Sequence, residues 1–565
     1  MSTMTSSVMP AIASPTHPVP STSAATLSTE QLPAPPIQIQ SRPGSSGQQL
    51  GTKEDPIVID WADGDTENPL NWSALTKLTQ TVQVALGTFC VTLGSSTYAG
   101  GARAIGHALG MNNVVTLLGV SLYVLGFGVG PLVWAPCSEL YGRKRIFLVS
   151  WIPFTLAQIG CWFAVDGTMM LVFRFLAGAF GTAPLAGGGG TVGDMFAPQD
   201  RTYAMALYSM MPFLGPIMGP LIGGAIVDTV GWKRIFLILF CFALFLATLA
   251  VLNMRETYAP VLLRRKAQRM HRESGGKKHY VSKYDLGKNL SLGHVLRLNL
   301  SRPFVFLFTE PIVTLLAIYV AIEYAILYAL FAAFPIVFIQ HRGWNRVKGG
   351  SAYLGVGAGV LIAVALVPLQ ARWYKKVASR SPGGKAPPET RLFSVIFGAF
   401  AAPIGLFWFA WTSQPSRPAI VSIIAVRLIT SGIRYRPTKS RLKGAPFGFG
   451  IFQLFNGLTA YIVDTYGIYC ASAIASTVVL RCMLAAAFPM FTPALFEALG
   501  DQAAMSIFAG LCTLCVPIPI LFYKYGPSIR ARSKHAQMLA VVAAPTTKKT
   551  DEEAGSRPTD EKMPR

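Results

Sequence analysis

Charge is scarce in this chain. Only 13% of its 565 residues are Asp, Glu, Lys or Arg, where a water-soluble protein carries about 25%. Acid is the scarcer sign, 26 residues against 49 Lys and Arg, which leaves a net charge of +23. The glycine run Gly187-Gly188-Gly189-Gly190 is not followed by the Lys-Ser/Thr of a phosphate loop, so ATP drive is not expected. No nucleophile–base set and no metal-ligand spacing stands out, so neither an enzyme nor a metal site is expected. The eight cysteines lie in or beside apolar runs and read as small packing residues, Cys512-x-x-Cys515 included.

Apolar side chains fill the space, at 52% of the chain and a mean hydropathy of +0.44. That much apolar surface does not fit a water-soluble core, so the excess is expected to face a lipid bilayer. Runs long enough to cross one fall at about 79–99, 114–135, 146–165, 169–193, 203–227 and 233–253. They resume at about 311–339, 351–369, 392–411, 419–463 (interrupted), 468–491 and 503–523. Six and six, with similar rhythm, they predict an all-α membrane protein whose twelve transmembrane helices form two pseudo-symmetric six-helix bundles. The expected organisation is a disordered tail over 1–75, one bundle over 76–253, and a basic central loop over 254–303. A second bundle over 304–530 and a tail over 531–565 follow.

The basic excess sits mainly between apolar runs, as in Arg143, Lys144 and Arg145, in Arg372, Lys375 and Lys376, and throughout 254–303. Basic residues of this kind mark cytoplasmic connections, so both termini are expected inside the cell and no nucleic-acid partner is expected. The sequons at Asn71, Asn289 and Asn299 fall on that side, so no glycosylation is expected.

Several strings carry chemistry. Glu139, Gly142, Arg143, Lys144 and Arg145 close the second run, where a glycine turn and opposed charges can form a cytoplasmic latch. Gly215, Pro216, Gly219, Pro220, Gly223 and Gly224 give the fifth run a close-packing stripe broken by prolines, either a hinge or a kinked packing helix. Arg174 lies inside the fourth run, where a guanidinium needs a partner or a cavity. Glu323 is the most deeply placed acid; held away from water, it can load and release a proton during a cycle. Asp194, at the end of the fourth run, and Glu310, before Pro311, are further coupling candidates. Tyr98, Tyr208, Phe213, Tyr319, Tyr328, Phe331, Phe455 and Asn456 are candidate cavity residues as a group.

An acid, a glycine three positions on and then two basic residues resemble the loop signature of the major facilitator superfamily, with Glu139 where many members have Asp and Ala135 where many have Gly. Asn68-Pro69-x-Asn71-Trp72, Gly231-Trp232-Lys233-Arg234, Arg255-Glu256-Thr257-Tyr258-Ala259-Pro260 and Phe522-Tyr523-Lys524-Tyr525-Gly526-Pro527 narrow the likeness. Together they resemble the fungal drug:proton antiporter branch with twelve spans, which includes polyamine, multidrug and secondary-metabolite exporters. The likeness covers roughly residues 55–535. It implies a plasma-membrane efflux transporter working as a monomer by alternating access, with no cofactor, driven by the proton gradient. In that family the fifth-run motif marks antiporters, and an arginine at the place of Arg174 belongs to the proton-coupling machinery. The cargo is expected to be a small or amphipathic metabolite, such as a mannosylerythritol lipid or itaconate, or a drug. Polyamine or multidrug export, proton-symport uptake and a non-transporting sensor are the alternatives. Relatives often have an acid just before Phe334-Pro335, where this chain has Ala332-Ala333, and that points away from cationic cargo.

One stretch breaks the pattern. Residues 426–443 hold six Lys and Arg and no acid, and burying them in lipid would cost on the order of 15 kcal/mol. Removing them joins Ile423-Ile424-Ala425 to Gly444-Ala445-Pro446 and restores a continuous tenth helix, so a translated intron is expected; an external loop is the alternative. Peptide sequencing decides between them. A tryptic peptide running from Ala425 directly into Gly444 supports the intron, and peptides from inside the stretch defeat it.

Overall fold

In the computed structural model the chain is nearly all helix; the structure describes residues 56–197, 200–285, 292–381, 386–413, 445–466, 470–531 and 533. Among the described residues, ten helices are long and apolar enough to cross a bilayer. Two physical considerations turn ten into twelve crossings. Ala74–Ala108 falls short on apolarity because Gln80, Gln83 and a series of Thr and Ser lie along it, yet these side chains are buried inside the bundle. Cys470–Arg530 has 61 residues and would run about 90 Å if straight, three times a bilayer core of about 30 Å. It folds back at Gly500, whose φ of 75° no other residue type adopts cheaply.

The first half therefore comprises span 1 (Ala74–Ala108), span 2 (Asn113–Tyr141), span 3 (Arg143–Trp162), span 4 (Gly167–Met195), span 5 (Arg201–Val230) and span 6 (Lys233–Asn253). The second comprises span 7 (Pro311–Gln340), span 8 (Arg346–Ala378), span 9 (Leu392–Thr412), span 10 (Ala445–Tyr466), span 11 (470–499) and span 12 (501–530). The expected tenth run is thus helical from Ala445, and the basic stretch 426–443 lies outside the described residues. In the first half span 1 packs on span 5 and span 2 on span 4; in the second, span 7 packs on the 470–515 segment and span 8 on span 10. The halves meet where Gly128 of span 2 faces Cys482 of span 11, and where span 5 faces span 8.

On the face carrying the basic connections, residues 56–73 correct the expectation of disorder there; the rest of that tail and the C-terminal tail beyond residue 533 lie outside the described residues. Strand β1 (Ile57–Ile59) pairs in parallel with β2 (Tyr280–Ser282) of the central loop. Ile59 packs on Leu263 and Ala267 of the helix Ala259–Glu273. Lys266 reaches Asp65 at 2.6 Å, Arg269 reaches Glu67 at 2.7 Å, and Arg264 reaches Asp285 at 2.7 Å. Charge complementarity tied to a three-residue strand gave no apolar signal, which is why the tail reads as featureless in sequence.

The Lys266 ammonium, and then the Glu67 amide, hold Asp65 below the ordinary aspartate range. A lowered folded-state value means that this contribution is present at neutral pH and is lost as pH falls through it. Lys266→Glu sets like charges face to face, so tryptic cleavage at Lys277 and Lys278 should accelerate several-fold at neutral pH while helix content is kept. An unchanged cleavage rate would show that the clasp does not order the loop.

Candidate functional site

The turn between spans 2 and 3 is built on Gly142, at φ 102°. That conformation starts span 3 directly after span 2, and leaves the first amides of span 3 without helical acceptors. Glu256, just past span 6, takes that place. Its Oε1 accepts from the Arg143 amide at 2.8 Å and from its own neighbours Thr257 and Tyr258 at 3.1 and 3.0 Å. The Arg143 guanidinium donates to Ser138 Oγ at 2.6 Å, meets Asp194 Oδ2 at 3.5 Å and lies over the Tyr258 ring at 4.9 Å. Burial, then the Glu139 carboxylate, pushes the Tyr258 hydroxyl up to about 12, so the ring stays neutral beneath that cation. Thr257 also donates to Asp194. The ends of spans 2, 3, 4 and 6 are thereby tied by one charged knot. Glu139 is exposed and stands near the first residue of span 11, Cys470, in the other half. Lys144 is partly buried beside the knot, and Arg145 lies over the Tyr141 ring at 6.0 Å.

Deeper in the first half, Arg174 is fully buried and every direction of its fork is used. Nε donates to Gly119 O at 2.8 Å, and the two terminal nitrogens donate to Gly94 O at 2.6 Å and Ser95 O at 2.9 Å. Tyr98 and Tyr123 cover the guanidinium at 4.8 and 4.2 Å. One side chain thus joins spans 1, 2 and 4. In span 5, the stripe Gly215, Gly219 and Gly223 lies on span 1 so closely that a Cβ at Gly215 would meet the Leu93 amide at 2.7 Å. Thr92 and Ser96 donate to the carbonyls of Met211 and Gly215, beside the gaps left by Pro212, Pro216 and Pro220. At the opposite face Gly224 touches Arg346, which pairs with Asp228 across the halves.

Glu323 does not join Arg174. It is fully buried, accepts from Cys512 Sγ of span 12 at 2.7 Å, and its Oε2 has no hydrogen-bond partner among the described residues. Tyr319, one turn earlier, is buried with it. Glu310 sits at the basic-face end of span 7, taking bonds from Ser533 at 2.7 Å and Tyr466 at 3.2 Å. Of the eight cavity candidates, Tyr98 donates to Thr116 O and Tyr208 to Leu185 O, so both hydroxyls are used within the first half. Phe213, Tyr328, Phe331 and Phe455 gather at the centre, with Asn456 partly buried beside them. There Phe213 of span 5 packs on Phe455 of span 10 at 5.1 Å, and Ser95 of span 1 bonds Tyr328 of span 7 at 3.1 Å.

Three contributors were given no role in the sequence reading. Glu256 was visible only as part of a family string, since nothing local says that it reaches a turn 114 positions earlier. Tyr324 packs on both Tyr328 and Phe455, at 5.0 and 5.6 Å. Arg481 of span 11, whose guanidinium lies over Tyr324 and Phe455 at 4.9 and 5.1 Å, gave the same signal as Arg174, a cation inside an apolar run. Among the described residues no group of three His, Cys, Asp or Glu is placed to hold a metal ion.

A family model described as Major Facilitator Superfamily matches residues 84–464. The chain is 44% identical over 487 residues to the MFS-type efflux pump MFS2 of Trichophyton rubrum, a match covering 86% of this chain and 78% of that one. It is 43% identical over 487 residues to the major facilitator superfamily multidrug transporter mdrA of Aspergillus fumigatus, covering 86% and 77%. Among solved structures, the proton:xylose symporter XylE bound to 6-bromo-6-deoxy-D-glucose shares the fold, with a TM-score of 0.56 at 14% identity over 80% of this chain and 96% of that one.

The charged knot makes a prediction of its own. Glu256→Gln weakens three amide bonds to a carboxylate and should lower stability by about 2 kcal/mol. Gly142→Ala should cost at least as much, because its Cβ would sit 2.7 Å from the Glu256 carboxyl carbon at a φ that disfavours side chains. Thermal melting of the purified chain in detergent reads both, and melting points equal to the parent's would remove the turn from the framework.

Proposed function

The chain belongs to the major facilitator superfamily, and from that premise we propose that it is an efflux transporter exporting a small or amphipathic metabolite in exchange for protons. The observation that carries this reading is the central aromatic cluster, to which spans 1, 5, 7, 10 and 11 of both halves contribute. The names of the two fungal relatives, an efflux pump and a multidrug transporter, support export over uptake. Both termini lie on the cytoplasmic side of the plasma membrane in this reading, since the basic knot and clasp occupy one face.

The working cycle uses contacts at both faces. The Asp228–Arg346 pair holds spans 5 and 8 together at the outer face. At the inner face Glu139 stands across from span 11, backed by Arg143, Asp194 and Glu256. Export requires the inner contacts to close and the outer pair to part. Each entering proton supplies about 2.3 kcal/mol per 100 mV, plus about 1.4 kcal/mol per pH unit, enough to raise cargo tenfold or more outside. Glu323 is the proposed proton carrier, because among the described residues it is the acid deepest in a span and its Oε2 has no hydrogen-bond partner. Arg174 holds the spans whose packing the cycle must preserve.

Deleting the gene should raise one metabolite about tenfold inside the cells while removing it from the medium. Restoring the native gene should reverse both, and a protonophore should abolish the reversal. An unchanged medium after deletion overturns efflux. Glu323→Gln should fold normally yet fail to restore export; export at the native rate would exclude Glu323 from coupling.

A further inference from the structure

Among the described residues, the bundle interior holds two guanidiniums with opposite surroundings. Those of Arg174 are closed: three backbone carbonyls take its donors and two tyrosine rings cover it. Nothing further binds there without breaking the joint between spans 1, 2 and 4. Arg481 is different. It packs on Phe455 and Tyr324, which stand ten and thirteen residues into spans 10 and 7, and so lies near the middle of a bilayer core of about 30 Å. Tyr324 and Phe455 lie beneath its guanidinium and the Cys482 thiol stands beside it, but its Nε is buried without a hydrogen-bond partner among the described residues. The ion pairs of the described residues all lie toward the two faces, as in Arg143–Asp194, Arg346–Asp228 and Arg391–Asp464, and none includes Arg481. Among the described residues the deep acid is Glu323, and it is turned toward Cys512 of span 12.

A positive charge held at mid-depth without a protein counter-ion favours an anion in the same place. Aromatic faces stabilise the cation when the site is empty, yet accept no hydrogen bond in the plane of its fork. A carboxylate satisfies that need, since its two oxygens match two parallel N–H donors. Beside the fork, Phe455 is continuous with Phe213 and Tyr324, an apolar wall suited to a flat or unsaturated body.

We propose that Arg481 is the anion-binding point of the central site, and that the cargo class is a carboxylate carried on a flat, apolar body. This rests on the efflux reading for the word cargo, but the binding site itself does not. No residue of the charged knot or of span 5's glycine stripe is involved.

The test is binding to the full-length chain in detergent, by titration calorimetry, with naphthoate and its neutral isostere naphthamide as probes. The native chain should bind naphthoate at least about tenfold more tightly than naphthamide. Equal affinity for the two overturns the proposal whatever the variants do. Arg481→Gln should reduce the preference to about threefold or less, and a preference kept at its native size overturns it as well. Should that variant not fold, Arg481→Lys keeps the charge and removes the fork; naphthoate binding should then weaken several-fold relative to naphthamide, and an unaltered ratio is again fatal. Flux of naphthoate from liposomes is measured separately. A chain that prefers naphthoate and moves none of it defeats the efflux reading while leaving the anion site in place.

Discussion

Within a bilayer no water completes an unfinished hydrogen bond, and the whole arrangement follows from that constraint. Span 1 shows it most plainly. Its polar side chains would weaken it as an isolated membrane helix, but in the bundle they turn back to the backbone: Thr88 to Val84 O, Thr92 to Thr88 O and Thr97 to Leu93 O. Arg174 completes the same logic on a larger scale. Three carbonyls on two neighbouring spans receive its donors, so a residue that would be costly in lipid becomes the point where three helices are fastened.

The second consequence concerns what draws helices together once water is absent. Lipid tails are as apolar as leucine, so apolarity does not bring spans into contact; close backbone approach does. Span 5 achieves it with glycines toward span 1, and Gly350 of span 8 comes up against Leu221 in the same manner across the halves. Small residues of this kind mark contacts in both bundles, including Gly450 against Ala402 and Gly398. The duplicated plan of pairings therefore survives although the residues filling the two centres differ.

Much of this was legible in the residues taken alone, and the parts that were not share a cause. Long apolar runs, the glycine turn at Gly142 and the stripe of span 5 are local patterns, and periodicity or spacing exposes them. Span ends were less legible: the run read as 79–99 is a helix over Ala74–Ala108, because polar residues that bond to the bundle do not break it. What one sequence does not contain is direction across the fold. Glu256 meets a turn more than a hundred residues away, Glu323 faces span 12 where Arg174 is bonded to spans 1 and 2, and Arg481 lies over rings from two other spans. Each was present as a residue type in a run or just beyond one; only packing decides which neighbour it meets. The clasp of residues 56–73 failed for a further reason, since its strand is three residues long and its strength is charge matched between distant segments.

These contacts also limit how the molecule can move. A helix with three prolines invites the reading that span 5 bends by itself. Yet Gly215, Gly219 and Gly223 all lie against span 1, where Thr92 and Ser96 hold carbonyls beside the proline gaps. A bend in span 5 alone would pull these hydroxyls from their acceptors and open voids in a region with no water to fill them. Span 1 is in turn held by Arg174 to spans 2 and 4. Movement of span 5 is thus shared with most of its half. The contacts that give way more cheaply are those between halves at the face opposite the basic connections, where the Asp228–Arg346 pair is partly exposed and water can take over its hydrogen bonds as it parts. The first half is accordingly fastened as a unit, and the aromatic centre is the surface on which it meets the second.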